Sequence, residues 1–198
     1  YVGKDFSVND GGNAQVQIEA LEREIMEKKQ ELARLRKTAE PETIADYKLE
    51  TLVGSRKLSD FFAGKRDLIL IHNMGKGCRY CTLWADGFNG LHQHLQNRTG
   101  LVLVSPDDPQ VQQEFAASRG WKFPIASGHG SSFAADLGFA QDGKYWPGVS
   151  VLRRQDNGSI VRVAKSFFGP GDNYCSLWDL FDLLPDGPAG WEPQYSYE

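Results

Sequence analysis

Apolar residues recur along this chain with two different periods, and the change of period divides it. Ala14, Ile18, Leu21, Ile25, Lys28, Leu32 and Leu35 step alternately by four and by three. That is the a/d spacing of a helical seam, with Lys28 as its one polar member and charged residues on the remaining faces. Ala14 to Lys37 contains no Gly or Pro and is rich in Glu, Lys, Gln, Ala and Leu. The pattern therefore predicts one long helix, ended by Pro41. A stripe this narrow serves either a dimerising coiled coil or a helix docked on its own domain, and about three heptads do not separate the two. The polar opening, Tyr1 to Asn13 with Gly11-Gly12, reads as a loose start.

Beyond Pro41 the apolar runs shorten to strand length. Leu68-Ile-Leu-Ile71 and Leu101-Val-Leu-Val104 are continuous, which suits central strands buried on both faces of a partly parallel sheet. Tyr47–Val53 alternates weakly and predicts a short strand. Gly54–Lys57 reads as a turn and Leu58–Phe62 as a short helix. A helix through Thr82–Asp86 is expected to kink or break at Gly87 and Gly90 before resuming over Leu91–Asn97. Pro109 opens a helix over Gln110–Ser118 that Gly120 caps. Phe123–Ala126 is short and apolar, and Ser131–Leu137 suggests a short helix. Val149–Arg153 and Ile160–Ala164 are strands joined through the hairpin signal Asn157-Gly158. A closing helix, Tyr174–Leu184, places Leu177, Leu180, Phe181 and Leu184 on one face, and Pro185 stops it. The tail with Pro188 and Pro193 is extended. The order β, α, β, α, β, β, α predicts an α/β fold: a mixed sheet with helices on both faces, preceded by the long N-terminal helix. Three parts result: a helical extension over 1–40, the α/β domain over 41–187 and a tail over 188–198.

One stretch carries chemistry. Leu68–Ile71 reads as a strand, Asn73–Gly77 as a tight glycine-rich turn, and Cys78-Arg-Tyr-Cys81 as the first turn of a helix. Strand, turn and C-x-x-C together form the layout of a thioredoxin-like redox site. Residues three apart share a helix face, so the two thiols can close a small disulfide and reopen it with little backbone movement. A helix start offers unpaired N–H groups and a positive dipole end, which stabilise a thiolate. Lys76 and Arg79 add positive charge nearby. Cys78 is expected to have a lowered pKa and to act as the nucleophile, with the deeper Cys81 as the resolving thiol. Two other readings compete: half of a zinc site, or a pair of inert buried cysteines. Zinc needs four ligands, and Cys175, His72, His92, His94 and His129 supply neither a second C-x-x-C nor a spaced His pair, so no metal is expected.

Several neighbours invite roles. His72, at the strand end, can tune the thiolate or relay protons, or be a satisfied structural histidine. Trp84 shapes a groove or belongs to the core. Asp86 accepts a proton from the buried thiol or, the favoured reading, closes the Asp86-Gly87 turn. His92 and His94 are too close in sequence to face one another on a helix. Cys175 is better read as a buried helix cysteine than as a third redox partner.

Composition narrows the classes. The chain has 198 residues, 40% hydrophobic and 12% aromatic, enough for one domain with an appendage. Net charge is −4 without a long basic run, which argues against nucleic acid. No apolar stretch of about 18 residues is present, so no membrane-spanning helix is expected. No signal-peptide pattern is visible, and because the chain starts at Tyr1 rather than Met, upstream residues are left open. Three cysteines, two of them in one motif, do not make a secreted disulfide scaffold, so a reducing cytoplasm is the expectation.

Cys78-x-x-Cys81-x-x-Trp84-Ala-Asp86-Gly87-Phe88-Asn89-Gly90 followed by His94-Leu95 resembles the thioredoxin-like family known as domain of unknown function 899. Gly120-Trp121-x-Phe123-Pro124, Pro147-Gly-Val-Ser-Val151 and Asp179-Leu-Phe-Asp-Leu-Leu-Pro185 belong to the same resemblance, which spans roughly 19–185. The resemblance implies a thioredoxin-like fold close to peroxiredoxin-like proteins, and little about substrate. In this fold a cis-proline stands beside the dithiol, for which Pro147 is the candidate and Pro124 the runner-up. The chain departs from thioredoxin itself: Gly77 replaces Trp before the first cysteine, and Arg79-Tyr80 replaces Gly-Pro. The peroxiredoxin pattern P-x-x-x-T/S-x-x-C fits neither Cys78 nor Cys81. The expected activity is thiol–disulfide exchange on a protein or small-molecule disulfide or dithiol, with an external thiol electron donor and no cofactor. The alternatives are a non-catalytic module dimerising through its leading helix, or a peroxiredoxin-like peroxidase.

Overall fold

The computed structural model describes residues 12–197. The predicted loose start over Tyr1–Asn13 lies almost wholly outside the described residues. Helix α1, Gly12–Thr38, matches the span that the apolar spacing predicts. Its seam residues Ile18, Leu21, Ile25, Leu32 and Leu35 are each between 42% and 60% exposed. Chain contacts divide the protein at Pro41, and everything from there on packs as one unit. No described helix is long and apolar enough to cross a membrane.

The second unit is built on an eight-stranded sheet. Its strands, in chain order, are β1 (Glu42–Ile44), β2 (Lys48–Thr51), β3 (Gly54–Lys57), β4 (Asp67–His72), β5 (Gly100–Ser105), β6 (Ile125–Ser127), β9 (Gly148–Arg154) and β10 (Ile160–Phe167). The short β7 (Ala140–Gln141) and β8 (Lys144–Tyr145) pair apart from it. Across the main sheet the order is β1-β10-β9-β4-β5-β6-β2-β3. β4 lies between β5, which runs parallel to it, and β9, which runs antiparallel. The sheet is therefore mixed, with the strand that leads into the dithiol near its centre.

Alternation along the central strands sends side chains to two cores. Leu68 and Leu70 join Phe62, Val102, Val104, Phe133, Phe139 and Leu152 on one face. Ile69 and Ile71 join Trp84, Ala85, Leu101, Leu103, Phe123, Val149 and Phe168 on the other. Helix α2, Arg79–Arg98, covers this second face with Cys81, Thr82, Trp84 and Ala85 buried. Asp67 anchors the start of β4. Its carboxylate accepts from Arg153 Nε at 2.7 Å and from Arg98 at 3.3 Å, and Thr99 at the end of α2 donates to its carbonyl at 2.7 Å.

The structure departs from the sequence expectations at five places. α2 runs through Gly87 and Gly90 without a break; a glycine costs a helix only about 0.5–1 kcal/mol relative to alanine, and the buried face of α2 outweighs that. Gly54–Lys57 is a strand paired with β2 across a tight connection at Leu52-Val53. β1 was not expected; it adds to the sheet edge against β10. The β7–β8 hairpin turns at Asp142-Gly143, both at positive φ, an Asp-Gly signal that the sequence does carry. The closing helix is shorter than predicted: α5 spans Leu177–Asp182, has no fully buried residue, and leaves Leu180 and Leu184 about half exposed. Helices α3 (Pro109–Ser118) and α4 (Phe133–Asp136), and a 3-10 turn over Leu58–Phe62, lie within or close to the predicted spans.

Candidate active site

The dithiol turn is held by backbone bonds to fixed points on both sides. Beyond β4, the Asn73 N–H donates to Val104 O at 2.9 Å, so the pairing with β5 extends into the turn. Asn73 Oδ1 accepts the Gly75 N–H at 2.7 Å, and Asp107 Oδ2 accepts the Lys76 N–H at 2.8 Å. Gly75 stands at φ +102°, and a Cβ there would lie 2.7 Å from Asp107 Oδ1. Both the turn and the close carboxylate require glycine at this position. The Cys78 N–H closes the turn onto Gly75 O at 3.1 Å.

Cys78 is then the N-cap of α2. Its backbone is extended, and its Sγ accepts the Cys81 N–H at 3.0 Å. Sulfur takes the place that Ser or Asp oxygen fills at an ordinary N-cap. A cap acceptor gains from negative charge, so the helix start favours the thiolate. Cys78 is half-buried and Cys81 is only 3% exposed; both are free thiols. The Cys78 pKa is lowered from 9.0 to about 7. The hydrogen bond from the Cys81 side chain is the main cause; burial opposes it, and the backbone N–H groups of Cys81 and Tyr80 assist. The Cys81 thiol is pushed far up by that same bond to Cys78, by burial and by the neighbouring charge. One sulfur is therefore half-buried with a pKa near neutrality, and the other is a buried thiol that holds its proton.

The other residues singled out in the sequence divide clearly. The Lys76 side chain is exposed and only its backbone engages the turn. Arg79 reaches away to Glu192 at 3.1 Å, and neither cation is among the causes of the lowered Cys78 pKa. His72 belongs to the opposite face of the sheet. It stacks on Phe139 at 3.6 Å, pairs with Ser150 Oγ at 2.9 Å, and burial holds its pKa well below the usual value. It is a neutral structural histidine, because strand alternation turns it away from Ile71 and α2. Trp84 is core, packed against Phe168 at 5.3 Å and one turn beyond Cys81. Asp86 neither serves the thiols nor closes a turn: Arg119 pairs with it, and Trp121 Nε1 donates to it at 2.8 Å. Pro147, the cis-proline candidate, stands just before β9 and follows a trans bond. The register sets Gly148 opposite His72, so Pro147 lies level with the start of the dithiol turn. Among the described residues every peptide bond is trans, including those preceding Pro147 and Pro124. Cys175 precedes α5 in a loop, half-buried against the Trp84 aromatic cluster, with its pKa raised by burial. His92 and His129 bond to backbone carbonyls, and no three metal-ligating side chains converge among the described residues.

Sequence reading missed Asp107, Tyr195 and Glu192. Asp107 had a usable signal. It follows a strand predicted to be central and parallel, and residues just past neighbouring parallel strand ends share one rim of a sheet. Tyr195 and Glu192 lie in a tail with no periodicity to place them.

Solved structures that this chain resembles include peroxiredoxins. Reduced Prx3 in complex with H2O2 from Vibrio vulnificus is 18% identical with a TM-score of 0.54, covering 68% of this chain and 90% of that one. Peroxidoxin BcpB from Mycobacterium tuberculosis is 24% identical with a TM-score of 0.50, covering 61% and 80%. A peroxiredoxin-like protein from Aquifex aeolicus is 14% identical with a TM-score of 0.52, covering 64% and 74%. These likenesses show the thioredoxin-like fold. Among curated proteins no relative matches the chain. The family described as "Bacterial protein of unknown function (DUF899)" matches residues 12–196, almost the whole chain, and the protein belongs to that family.

Proposed function

We propose that the protein is a thiol–disulfide oxidoreductase working through Cys78 and Cys81. The observation that carries the reading is the pairing of a half-exposed, N-capping Cys78 with a buried Cys81 whose N–H and S–H both serve it. In the cycle, Cys78 thiolate attacks one sulfur of a substrate disulfide. A Cys78–substrate S–S bond forms, the substrate bond breaks, and the other substrate sulfur leaves as a thiolate and takes a proton. Cys81 then loses its proton and attacks Cys78 Sγ. The Cys78–Cys81 bond closes, and the second substrate sulfur leaves. Two electrons have passed from the dithiol to the substrate, and an external thiol donor restores the dithiol by the reverse exchange. Such a donor fits a reducing compartment, the cytoplasm in this proposal.

A second reading shares the first cysteine. In the peroxiredoxin form of the fold, Cys78 thiolate would attack a hydroperoxide oxygen, giving Cys78 sulfenic acid and an alcohol. Cys81 would then close the disulfide with loss of water. Cys78→Ser tests both, and it should abolish turnover of insulin disulfides and of cumene hydroperoxide alike. Full retention of disulfide turnover would remove Cys78 from the site, and a wild type without either turnover would leave the non-catalytic module. Disulfide and peroxide turnover compared in the wild type separate the two enzymatic readings.

A further inference from the structure

The C-terminal tail is fastened to the dithiol turn on both sides of the nucleophile. Tyr195 Oη donates to Lys76 O at 2.9 Å, two residues before Cys78. Glu192 accepts from Arg79 at 3.1 Å, one residue after it. The tail is itself held from behind. Arg119, already paired with Asp86 of α2, also donates to the Tyr195 carbonyl, and the Tyr195 ring packs edge-on against Phe115 at 6.1 Å. Pro193, between the two contacts, is buried. Burial raises the Tyr195 pKa, and the charge of the nearby Cys78 thiolate adds to it.

We infer that Glu192 and Tyr195 are specificity-determining residues, which narrow the approach to Cys78 so that small or extended thiols and disulfides react freely while folded proteins react more slowly. The inference deepens the oxidoreductase reading and rests on it for the word substrate; the access it describes is a property of the surface alone. The tail residues bond to Lys76 O and Arg79 rather than to a sulfur, so both act by position. The two fastenings are one half-exposed ion pair and one hydrogen bond to a carbonyl, and together they shift the ratio of closed to open tail by about tenfold. A bulky partner, which must find the tail open, feels that factor. A small one, which passes the closed tail, does not.

The test needs no enzymatic activity. The full chain and an E192Q/Y195F variant, which keeps the Tyr195 ring on Phe115, are treated with N-ethylmaleimide and with polyethylene glycol-linked maleimide. Modification is scored at Cys78 by peptide mass. The variant should react about tenfold faster with the polymer reagent and within about twofold of the wild type with the small one. The pH midpoint of Cys78 should stay where it is, because Arg79 and Glu192 do not set it. A chain ending at Trp191 should show the same ratio or a larger one. Equal acceleration with both reagents would mean a loosened turn and overturn the inference. So would unchanged polymer reactivity in both variants. Insulin and glutathione disulfide then serve as the large and small substrates. If neither is turned over by the wild type, the oxidoreductase reading fails while the access result stands.

Discussion

Replacing Cys81 by alanine should move the pH midpoint of Cys78 alkylation upward by one pH unit or more. The lowering of Cys78 from 9.0 to about 7 corresponds to about 3 kcal/mol in favour of the thiolate. The Cys81 side-chain bond is its largest cause, and burial, which raises the pKa, remains when that bond is gone. Two backbone N–H groups remain to counter burial. With a midpoint near 8, the thiolate fraction at pH 7 falls from about a half to about a tenth. Intrinsic nucleophilicity meanwhile rises about threefold with the higher pKa, so the rate at pH 7 drops only about twofold. The midpoint is therefore the quantity to measure, by iodoacetamide rates across a pH series scored at Cys78. Cys81→Ser is the matched control, since its hydroxyl still donates and should leave the midpoint below that of the alanine variant. Loss of one buried sulfur costs about 1 kcal/mol, which leaves the fold intact and is checked by circular dichroism. An alanine variant that still titrates at about 7 would refute the reasoning and assign the low pKa to the helix start alone.

Other consequences follow from the same geometry. Asp107→Ala removes the acceptor of the Lys76 N–H, so hydrogen exchange at that amide should quicken about tenfold and the fold should lose about 1 kcal/mol; an unchanged amide would mean that Asp107 does not hold the turn. Asp67→Asn should destabilise by about 1–3 kcal/mol at neutral pH, measured by urea unfolding. The Asp67 pKa is lowered, chiefly by its bond from Arg153, so its contribution is complete above 3.8 and is lost as pH falls through the lower folded value. The wild type and variant should converge in acid, and a gap independent of pH would refute the ion-pair origin. For α1 we propose a parallel pair of helices from two copies. Ile18, Ile25 and Leu32 fall at a, with Leu21 and Leu35 at d. A parallel register sets Glu24 of one copy near Lys29 of the other and Glu31 near Arg36, whereas an antiparallel one brings Glu24 near Glu31. Deleting 15–37 should then halve the mass seen in sedimentation, and an unchanged mass would sink the dimer.

Legibility in the sequence followed the range of the interactions. β4, β5 and the dithiol helix were readable because continuous apolar runs and the strand–turn–C-x-x-C order are local signals. The two central strands then fixed much of the sheet. Gly87 and Gly90 suggest a break on local propensity alone, and the buried face of α2, which only tertiary packing reveals, overrides it. His72 is a similar case. Its sequence distance to Cys78 is short, yet strand parity sends it to the opposite core, and counting alternation from Ile71 would have shown this. Arg79 looked like a helper of the thiolate because its charge adjoins Cys78 in sequence, but Glu192, 113 residues away, claims it. That distant tail, with neither apolar period nor turn signature, held the least readable part of the site.

The pKa difference between the two cysteines also bears on how the proposed cycle can turn over. A resolving thiol with a pKa as high as that of Cys81 would be a poor nucleophile throughout if the value were fixed. Its causes show that it is not. Two of the three that raise it, the hydrogen bond to Cys78 and the Cys78 charge, require a Cys78 thiolate. When Cys78 enters a mixed disulfide, its sulfur becomes neutral and a far weaker acceptor, so both causes fade. Burial alone then raises the Cys81 pKa, opposed by the backbone bonds at Met74 and at Cys81 itself. The proton that activates Cys78 in the resting dithiol is the one that must leave Cys81 in the next step, and it becomes easier to remove when Cys78 is consumed. The first attack thus prepares the second without a separate base. This accounts for how the site can dispense with the two candidates that the sequence offers for such a base, Asp86, held by Arg119 and Trp121, and His72, buried on the far face of the sheet.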